Sequence, residues 1–444
     1  MLVGAYVPGT GDPINGMVLG TDPNYPNGFK EQQPVQLEPR FGFAYDVAGD
    51  GKTAIRGGFG VFHNTRSVGG PPVVASKFNP PRQFNPTQFY GNLDTMLNAT
   101  NLLRPSGTIY GFERDAQTPS LYNYSFGIQR DIGFQTVLDV GYSGNTSRHL
   151  MWFRDLNMLP YGTRFLPQNA DPSNRNVPLP DNFLRPYPGH GSIRYYENAG
   201  TSNYNALQVA LNRRYAKGFQ FGVAYTYSKT MNYGDNDQTQ VATYRPVDVW
   251  NYGLASYDQT HVLIANYIWD LPRASKLWNN AMTRTALDNW QVAGIASFVS
   301  GTPATVGFST TDSVDLTGGG DGIRVNVTGK VPLPGDERSF DRWFNTSAFA
   351  RPARGEFGSA GRTLFRLPGV SNFDISLFKN FPIKEAASVQ FRCEMYNAFN
   401  HTQYAGVDTT ARFDPQGRQV NTRLGQVIST RTPRVIQLSL RATF

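Results

Sequence analysis

Bulky apolar residues recur at every second position in several short stretches of this 444-residue chain. Phe219, Phe221, Val223, Tyr225 and Tyr227 are interleaved with Gln220, Gly222, Ala224, Thr226 and Ser228. A period of two sends large side chains to one face of an extended strand and small polar ones to the other. Just upstream, Leu207, Val209 and Leu211 alternate with Ala206, Gln208, Ala210 and Asn212, and the stretch 214–218 between the runs ends in a glycine suited to a tight turn. The same hairpin pattern takes Phe41, Phe43 and Tyr45 through 48–51 into Ile55, Gly57, Phe59 and Val61. It takes Tyr122, Tyr124, Phe126 and Ile128 through 131–133 into Leu138, Val140 and Tyr142. It takes Phe373, Ile375 and Leu377 through 380–384 into Val389, Phe391, Cys393 and Met395. Two further strands are predicted near 261–269 and 290–299, where the alternation is blurred.

The connections sort by length. Those near 47–52, 131–135, 214–218 and 380–386 are short and 271–288 is intermediate. Those near 63–121, 144–203, 230–259, 301–369 and 400–433 are long and rich in Pro, Gly, Asn and Asp. Short turns at one end and long loops at the other are the layout of an outer-membrane barrel, with the turns periplasmic and the loops extracellular. A soluble sandwich has no reason to sort its connections this way. The predicted fold is all-β: an antiparallel transmembrane β-barrel of the outer-membrane type, present as a partial barrel of about 11–12 strands with long extracellular loops. The last strand alternates Ile436, Leu438, Leu440, Ala442 and Phe444 with Gln437, Ser439, Arg441 and Thr443. An apolar series closing on an aromatic residue resembles the signal read by the outer-membrane assembly machinery, so Ile436, Leu438, Leu440 and Phe444 are its candidate residues.

Composition narrows the alternatives. Charged residues make up 17% and aromatics 13%, with 45 glycines and 23 tyrosines, a balance that suits β-structure better than helix. No run of about 18 apolar residues occurs, which excludes a helical span. A mean hydropathy of -0.41 is compatible with a barrel, because lipid-facing and lumen-facing residues cancel in the average. The start, Met1-Leu2-Val3-Gly4-Ala5-Tyr6, lacks the basic and apolar regions of a signal peptide. The net charge of +8 is scattered, not clustered, which argues against nucleic acid as a partner. Cys393 is the single cysteine, so neither a disulfide framework nor a multi-cysteine metal site is expected, and its neighbours Phe391 and Met395 point to a wall position.

Catalytic signatures are missing, and the chain is not expected to be an enzyme or to carry a cofactor. The nearest approach to G-x-S-x-G is Gly141-Tyr142-Ser143-Gly144-Asn145, and His63, His149, His190, His261 and His401 form no zinc motif. Gly57, Gly58 and Gly60 fall inside a predicted strand, where glycine relieves crowding on a barrel wall. Asp235-Asn236-Asp237, and Asp312, Asp315 and Asp321 around Gly318-Gly319-Gly320, are loop oxygens of a kind that suits calcium, although neither set has EF-hand spacing. Loop tyrosines, among them Tyr195, Tyr196, Tyr233, Tyr244 and Tyr252, could grip a ligand, sit at the membrane interface or hold the loops together.

Pro39-Arg40-Phe41-Gly42-Phe43-Ala44-Tyr45-Asp46 followed by Gly51-Lys52-Thr53-Ala54-Ile55-Arg56-Gly57-Gly58-Phe59-Gly60 resembles TonB-dependent receptors of the Oar-like group, which often carry a carboxypeptidase-regulatory-like domain. Gly141-Tyr142-Ser143-Gly144, Ser202-Asn203-Tyr204-Asn205-Ala206-Leu207-Gln208, Tyr225-Thr226-Tyr227-Ser228-Lys229, Asn397-Ala398-Phe399-Asn400-His401 and Pro433-Arg434-Val435-Ile436 are similar in the same order. The resemblance implies a barrel of about 22 strands closed around an N-terminal plug that contacts TonB. About half that number of strands is found here, with a loop or strand remnant at 1–37, the C-terminal part of the barrel at 38–444, and neither plug nor regulatory-like domain. The expectation is a fragment-like sheet whose first and last strands are unpaired.

Two functional classes follow. The first is the barrel portion of a TonB-dependent uptake receptor, with outer-membrane lipid and the barrel assembly machinery as partners, TonB reached only through the missing plug, and an unknown nutrient ligand captured by the extracellular loops. The second is a non-transporting outer-membrane protein with a structural or adhesive role. A plug-encoding region upstream of the gene would favour the first.

Overall fold

The computed structural model describes residues 2–6, 17–19, 23–24, 31–64, 79, 92, 94, 108–187, 190–278, 280–384 and 387–444. Eleven strands form one antiparallel wall: β1 (Arg40–Asp46), β2 (Thr53–His63), β3 (Ser120–Asp131), β4 (Thr136–Asp155), β5 (Ile193–Ala216), β6 (Phe219–Asn232), β7 (His261–Asp270), β8 (Trp290–Val299), β9 (Val370–Lys384), β10 (Ala387–Tyr396) and β11 (Val435–Thr443). Each pairs with its neighbours in chain order, as meandering hairpins must. Among the described residues no ladder joins β1 to β11, so the wall has two edges, as expected.

The register explains why the alternation reads so clearly. Tyr45, Ile55, Ile128, Val140, Val209, Tyr225, Leu263 and Phe298 stand opposite one another in one cross-strand row. The row begins beside the short-turn end of β1 and finishes beside the long-loop end of β8, which is the stagger of a tilted barrel wall. Every bulky series singled out above falls on this one face, through Phe373, Ile375 and Leu377 and on to Ile436, Leu438 and Leu440. Cys393 lies on it too, between Leu377 and Leu438. The opposite face carries Asn123, Ser125, Gln129, Gln208, Thr226, Asp374, Glu394 and Ser439. Ile264 and Ile295 also fall on this polar face, which is why the alternation in β7 and β8 is blurred.

Two small positions make the packing possible. The outward Phe43 ring lies directly on Gly57 of the next strand, and a methyl group there would collide with it. Tyr124 covers Gly144 in the same way. Cross-strand rings over glycine stiffen a strand that glycine would otherwise weaken. At the base of β5 and β6, Lys217 and Gly218 both have positive φ (52° and 77°), the backbone of a two-residue hairpin turn whose twist matches the strands.

The loops depart from expectation. The sequence places a long connection at 144–203, but β4 runs on to Asp155 and β5 begins at Ile193, confining the irregular part to 156–192. The upper halves of these strands pair with each other, with Asn203 opposite Thr146 and Glu197 opposite Trp152. They project beyond the apolar belt, so no lipid face imposes a period of two on them. The segment Ile109–Phe112 lies parallel to β5, and Leu2–Tyr6 pairs with Met17–Leu19 and meets Gly111, which puts this N-terminal backbone in the long-loop layer. The rest of the predicted remnant at 1–37, apart from 23–24 and 31–37, and most of the connection 63–121 lie outside the described residues. Among the described residues two short helices occur, α1 (Val247–Trp250) among the long loops and α2 (Ala281–Leu287) in the intermediate turn between β7 and β8.

Candidate functional site: a loop layer over a polar cavity

Apolar burial is inverted relative to a soluble protein. Phe41, Leu438 and Leu440 on the wall are exposed, whereas the hydrophobic core lies in the connections that follow β8 and β10. Phe344, Val325, Phe349, Phe365, Phe413 and Val427 are buried together there. The Phe344 ring lies 4.4 Å from that of Phe365 and 5.9 Å from that of Phe349. Parallel pairing of Gly307–Thr310 with Thr410–Phe413 ties the two connections together. This core leaves no pattern in the sequence, because apolar residues spaced irregularly among Pro and Gly have no period.

Arginines knit the remaining loops to it. Arg366 donates to the fully buried Asp258 carboxylate at 2.6 Å and to the Gly301 carbonyl at 2.9 Å. Arg324 stacks 3.8 Å above the Trp250 ring and donates to the Trp250 and Ala360 carbonyls. Arg164 bridges Asp181 and Asp315 at 2.8 Å each, and these hydrogen bonds raise its pKa above the ordinary guanidinium value against the opposing effect of burial. A layer with its own core and ion-pair network is held in one shape, unlike a set of solvated loops.

The inner face of the wall carries an open cavity of about 700 Å³. Asn145 of β4, Tyr204 and Gln208 of β5, and Thr226, Ser228 and Thr230 of β6 line it. Tyr257 and Gln259, on the segment leading into β7, form its upper rim. These side chains are uncharged hydrogen-bonding groups, the two tyrosines add ring faces, and Leu121, Leu150 and Val262 add apolar surface. The roof is fixed: Asp258 accepts from the Thr230 N–H at 2.6 Å, and Ser228 donates to the Gln259 carbonyl at 3.1 Å. The chemistry available is recognition by hydroxyls, amides and rings.

The residues singled out from the sequence fall elsewhere. Asp321 accepts from three successive backbone N–H groups, those of Thr243, Tyr244 and Arg245. Asp315 is paired with Arg164, Asp312 with Arg351 at 3.5 Å and Asp235 with Arg362 at 2.9 Å. Burial pushes the Asp315 carboxyl up, but Arg164 and the Gly318 and Thr317 N–H groups outweigh it and hold it below the ordinary carboxylate value. The acidic loops are therefore internal fasteners, and among the described residues no group of acids and histidines converges to hold a metal. Tyr196 is buried, 5.6 Å from the Phe112 ring and 5.4 Å from that of Phe153, and burial raises its pKa. Tyr233 sits between Trp152 and Tyr252, and Tyr244 donates to the Met158 carbonyl. These three tyrosines and Tyr252 hold the loops together. Of the two rings that do face the cavity, Tyr204 was visible in the sequence only as part of a motif and Tyr257 was not singled out. Ile436, Leu438 and Leu440 share the outward face, and Phe444 follows the last paired residue fully exposed.

Residues 3–437 match the model of a family described as an outer membrane beta barrel domain. Solved structures similar to the chain include the outer membrane transporter YddB from Escherichia coli (10% identity, 94% of this chain and 42% of that chain, TM-score 0.49). They also include the ferric-catecholate import receptor Fiu from E. coli K12 (10% identity, 91% and 34%, TM-score 0.38) and the FrpB iron transporter from Neisseria meningitidis (10% identity, 92% and 38%, TM-score 0.39). The chain spans less than half the length of each of these proteins. No curated protein matches it.

Proposed function

The chain belongs to the outer membrane beta barrel domain family and resides in the outer membrane, and from that premise we propose that it is the receptor barrel of a TonB-dependent uptake system of the Oar-like kind. The observation that carries the reading is the open, uncharged cavity on the inner face of the wall, with a loop layer that has its own core at the same end, a place where a ligand entering from outside is met by hydrogen-bonding groups and rings. The ordered landmarks from Pro39 to Ile436 support the family subgroup. In this reading residues 38–444 are the C-terminal part of the barrel and 1–37 belong to a loop or strand preceding it. In this reading, coupling to TonB runs through a plug that lies outside these 444 residues. The assembly machinery reads Ile436, Leu438, Leu440 and Phe444. The ligand is polar and uncharged, in the chemical class of oligosaccharides or peptides, held by Tyr204, Gln208 and Thr226.

The test is ligand screening by thermal shift on the purified barrel, using neutral oligosaccharides and short peptides, with Tyr204→Ala as the partner variant. A ligand whose stabilisation is lost in Tyr204→Ala supports the receptor reading. No stabilisation by any ligand, together with loss of cell-surface attachment when 301–369 is shortened, would favour the adhesive alternative.

A further inference from the structure

The connection between β7 and β8 is longer than the other turns at its end of the wall and is built in an unusual way. It carries Leu277, Trp278, Met282 and Leu287 at 79, 65, 81 and 49% exposure, with Arg273, Lys276 and Arg284 exposed among them. A seven-residue helix, α2, is capped by the Asn280 side chain, which accepts from the Thr283 N–H at 2.8 Å. The carboxylate at its far end, Asp288, is turned inward and accepts from both the backbone N–H and the hydroxyl of Ser275, closing the segment into a loop. These contacts hold the described residues of the unit, yet none of those residues covers its apolar side chains.

Two side chains of the wall fix where it sits. Trp290 and Lys379 stand opposite each other, and both belong to the outward face, in line with Phe391. The Trp290 indole N–H donates to the Ala286 carbonyl at 2.9 Å, and the Lys379 ammonium donates to the Asp288 carbonyl. Lys379 is 2% exposed and lies 5.5 Å from the Trp290 ring and 5.2 Å from the Phe381 ring. The end of α2 is thus tied to side chains of the lipid-facing surface, not to those of the lumen. The apolar residues of the turn continue the outward aromatic belt formed by Trp269, Trp290 and Phe381.

We propose that residues 273–278 and 280–287 form an interfacial foot that lies in the headgroup region of the inner leaflet and binds anionic phospholipid. Leu277, Trp278 and Met282 enter the acyl boundary, while Arg273, Lys276 and Arg284 meet the phosphates. An exposed apolar set flanked by cations is the pattern of a segment lying in the membrane plane. Continuity with the lipid-facing wall and the cationic composition commit the surface to lipid. The proposal goes beyond the receptor reading and stands independently of it.

The test uses the full chain refolded into vesicles of phosphatidylethanolamine and phosphatidylglycerol. Trp278 emission is isolated as the difference between the parent and Trp278→Phe. Lipids brominated near the headgroup should quench this signal more strongly than aqueous acrylamide does, placing the ring within about 10 Å of the headgroup boundary. Replacing Arg273, Lys276 and Arg284 together by Gln should weaken the lipid quenching at least about twofold, since the surface attraction of the cations to anionic lipid is lost. It should leave unchanged the heat-modifiable electrophoretic mobility that reports a folded wall. Vesicles of phosphatidylcholine alone should reduce the parent signal to the same level. Leu277→Ser with Met282→Ser, two exposed positions that leave folding intact, should also reduce it. A Trp278 signal fully open to acrylamide and untouched by brominated lipid would overturn the proposal and leave the surface for a periplasmic protein. Unchanged lipid quenching in both variants would overturn it as well.

Discussion

Val223 and Ala224 are neighbours in the chain and lie on opposite faces of the wall: Val223 stands between Leu211 and Ala265, Ala224 between Ala210 and Ile264. Val223 is central in the stretch Phe219–Tyr227 that pairs with β7, about the length a tilted strand needs to cross the hydrocarbon. Val223→Arg should therefore cost about 2–4 kcal/mol, because a charge near the midplane faces lipid. Ala224→Arg should cost less, since its face carries polar groups and water. Refolding titrations into vesicles measure both, and equal costs or the reverse order would overturn the facing.

Phe344 anchors the loop core. Phe344→Ala should destabilise that layer by about 3–5 kcal/mol, the usual range for emptying a buried aromatic site. Protease cleavage within 301–369 should rise sharply while the wall keeps its heat-modifiable mobility. A variant whose wall melts together with its loops would show that the two are one cooperative unit.

The buried Asp258 depends on Arg366. Arg366→Ala leaves an uncompensated carboxylate over the cavity and should cost about 3–5 kcal/mol, whereas the double variant Arg366→Leu with Asp258→Leu should recover much of it. Refolding titrations of the single and double variants read the effect, and equal destabilisation in the two would sink this account.

Acid should loosen the loop layer. The Asp235 carboxyl is pushed up by burial, but Asn232, Ser256 and Arg362 hold it below its ordinary value, and Asp315 behaves alike through Arg164. A depressed folded value means that the stabilisation is present above the ordinary carboxylate range, near 3.8, and is lost as pH falls below it. Loop protease sensitivity, followed with an acid-active protease, should stay low at pH above about 5 and climb below about 4. Asp315→Asn should raise it already at neutral pH. A flat profile would contradict the fastener role.

Deleting Phe444 should lower outer-membrane insertion in cells while leaving solubility unchanged, since Phe444 projects free beyond the last paired residue. Surface labelling of the truncated chain measures this, and unaltered surface levels would rule out a signal role.

The eleven strands are legible in the sequence because lipid on one side and a wet lumen on the other write a period of two into each membrane crossing. Phe219 to Tyr227 show it without a break. The period fails where its cause is missing. Ile264 and Ile295 face the lumen and blur β7 and β8, and the projecting halves of β4 and β5 face neither environment, so Thr146 to Asp155 read as loop. The core around Phe344 is assembled from residues far apart in sequence, which local patterning cannot reveal. The cavity is less legible still, since Thr226, Ser228 and Gln208 are the small polar partners that any barrel strand would carry. The foot leaves a faint trace in Trp278 and Met282, four residues apart in a connection that needed no apolar residues.

An antiparallel wall of eleven strands has a parity consequence. Its first and last strands, β1 and β11, run in the same direction, both from the long-loop end toward the short-turn end. If this wall closed on itself, or met a second copy edge to edge, each seam between β1 and β11 would be a parallel ladder in an otherwise antiparallel sheet. An odd number of additional strands inserted between those edges makes every seam antiparallel and gives the even total that single-chain bacterial barrels keep. The direction of two edge strands thus dictates the arithmetic of whatever sheet completes this one.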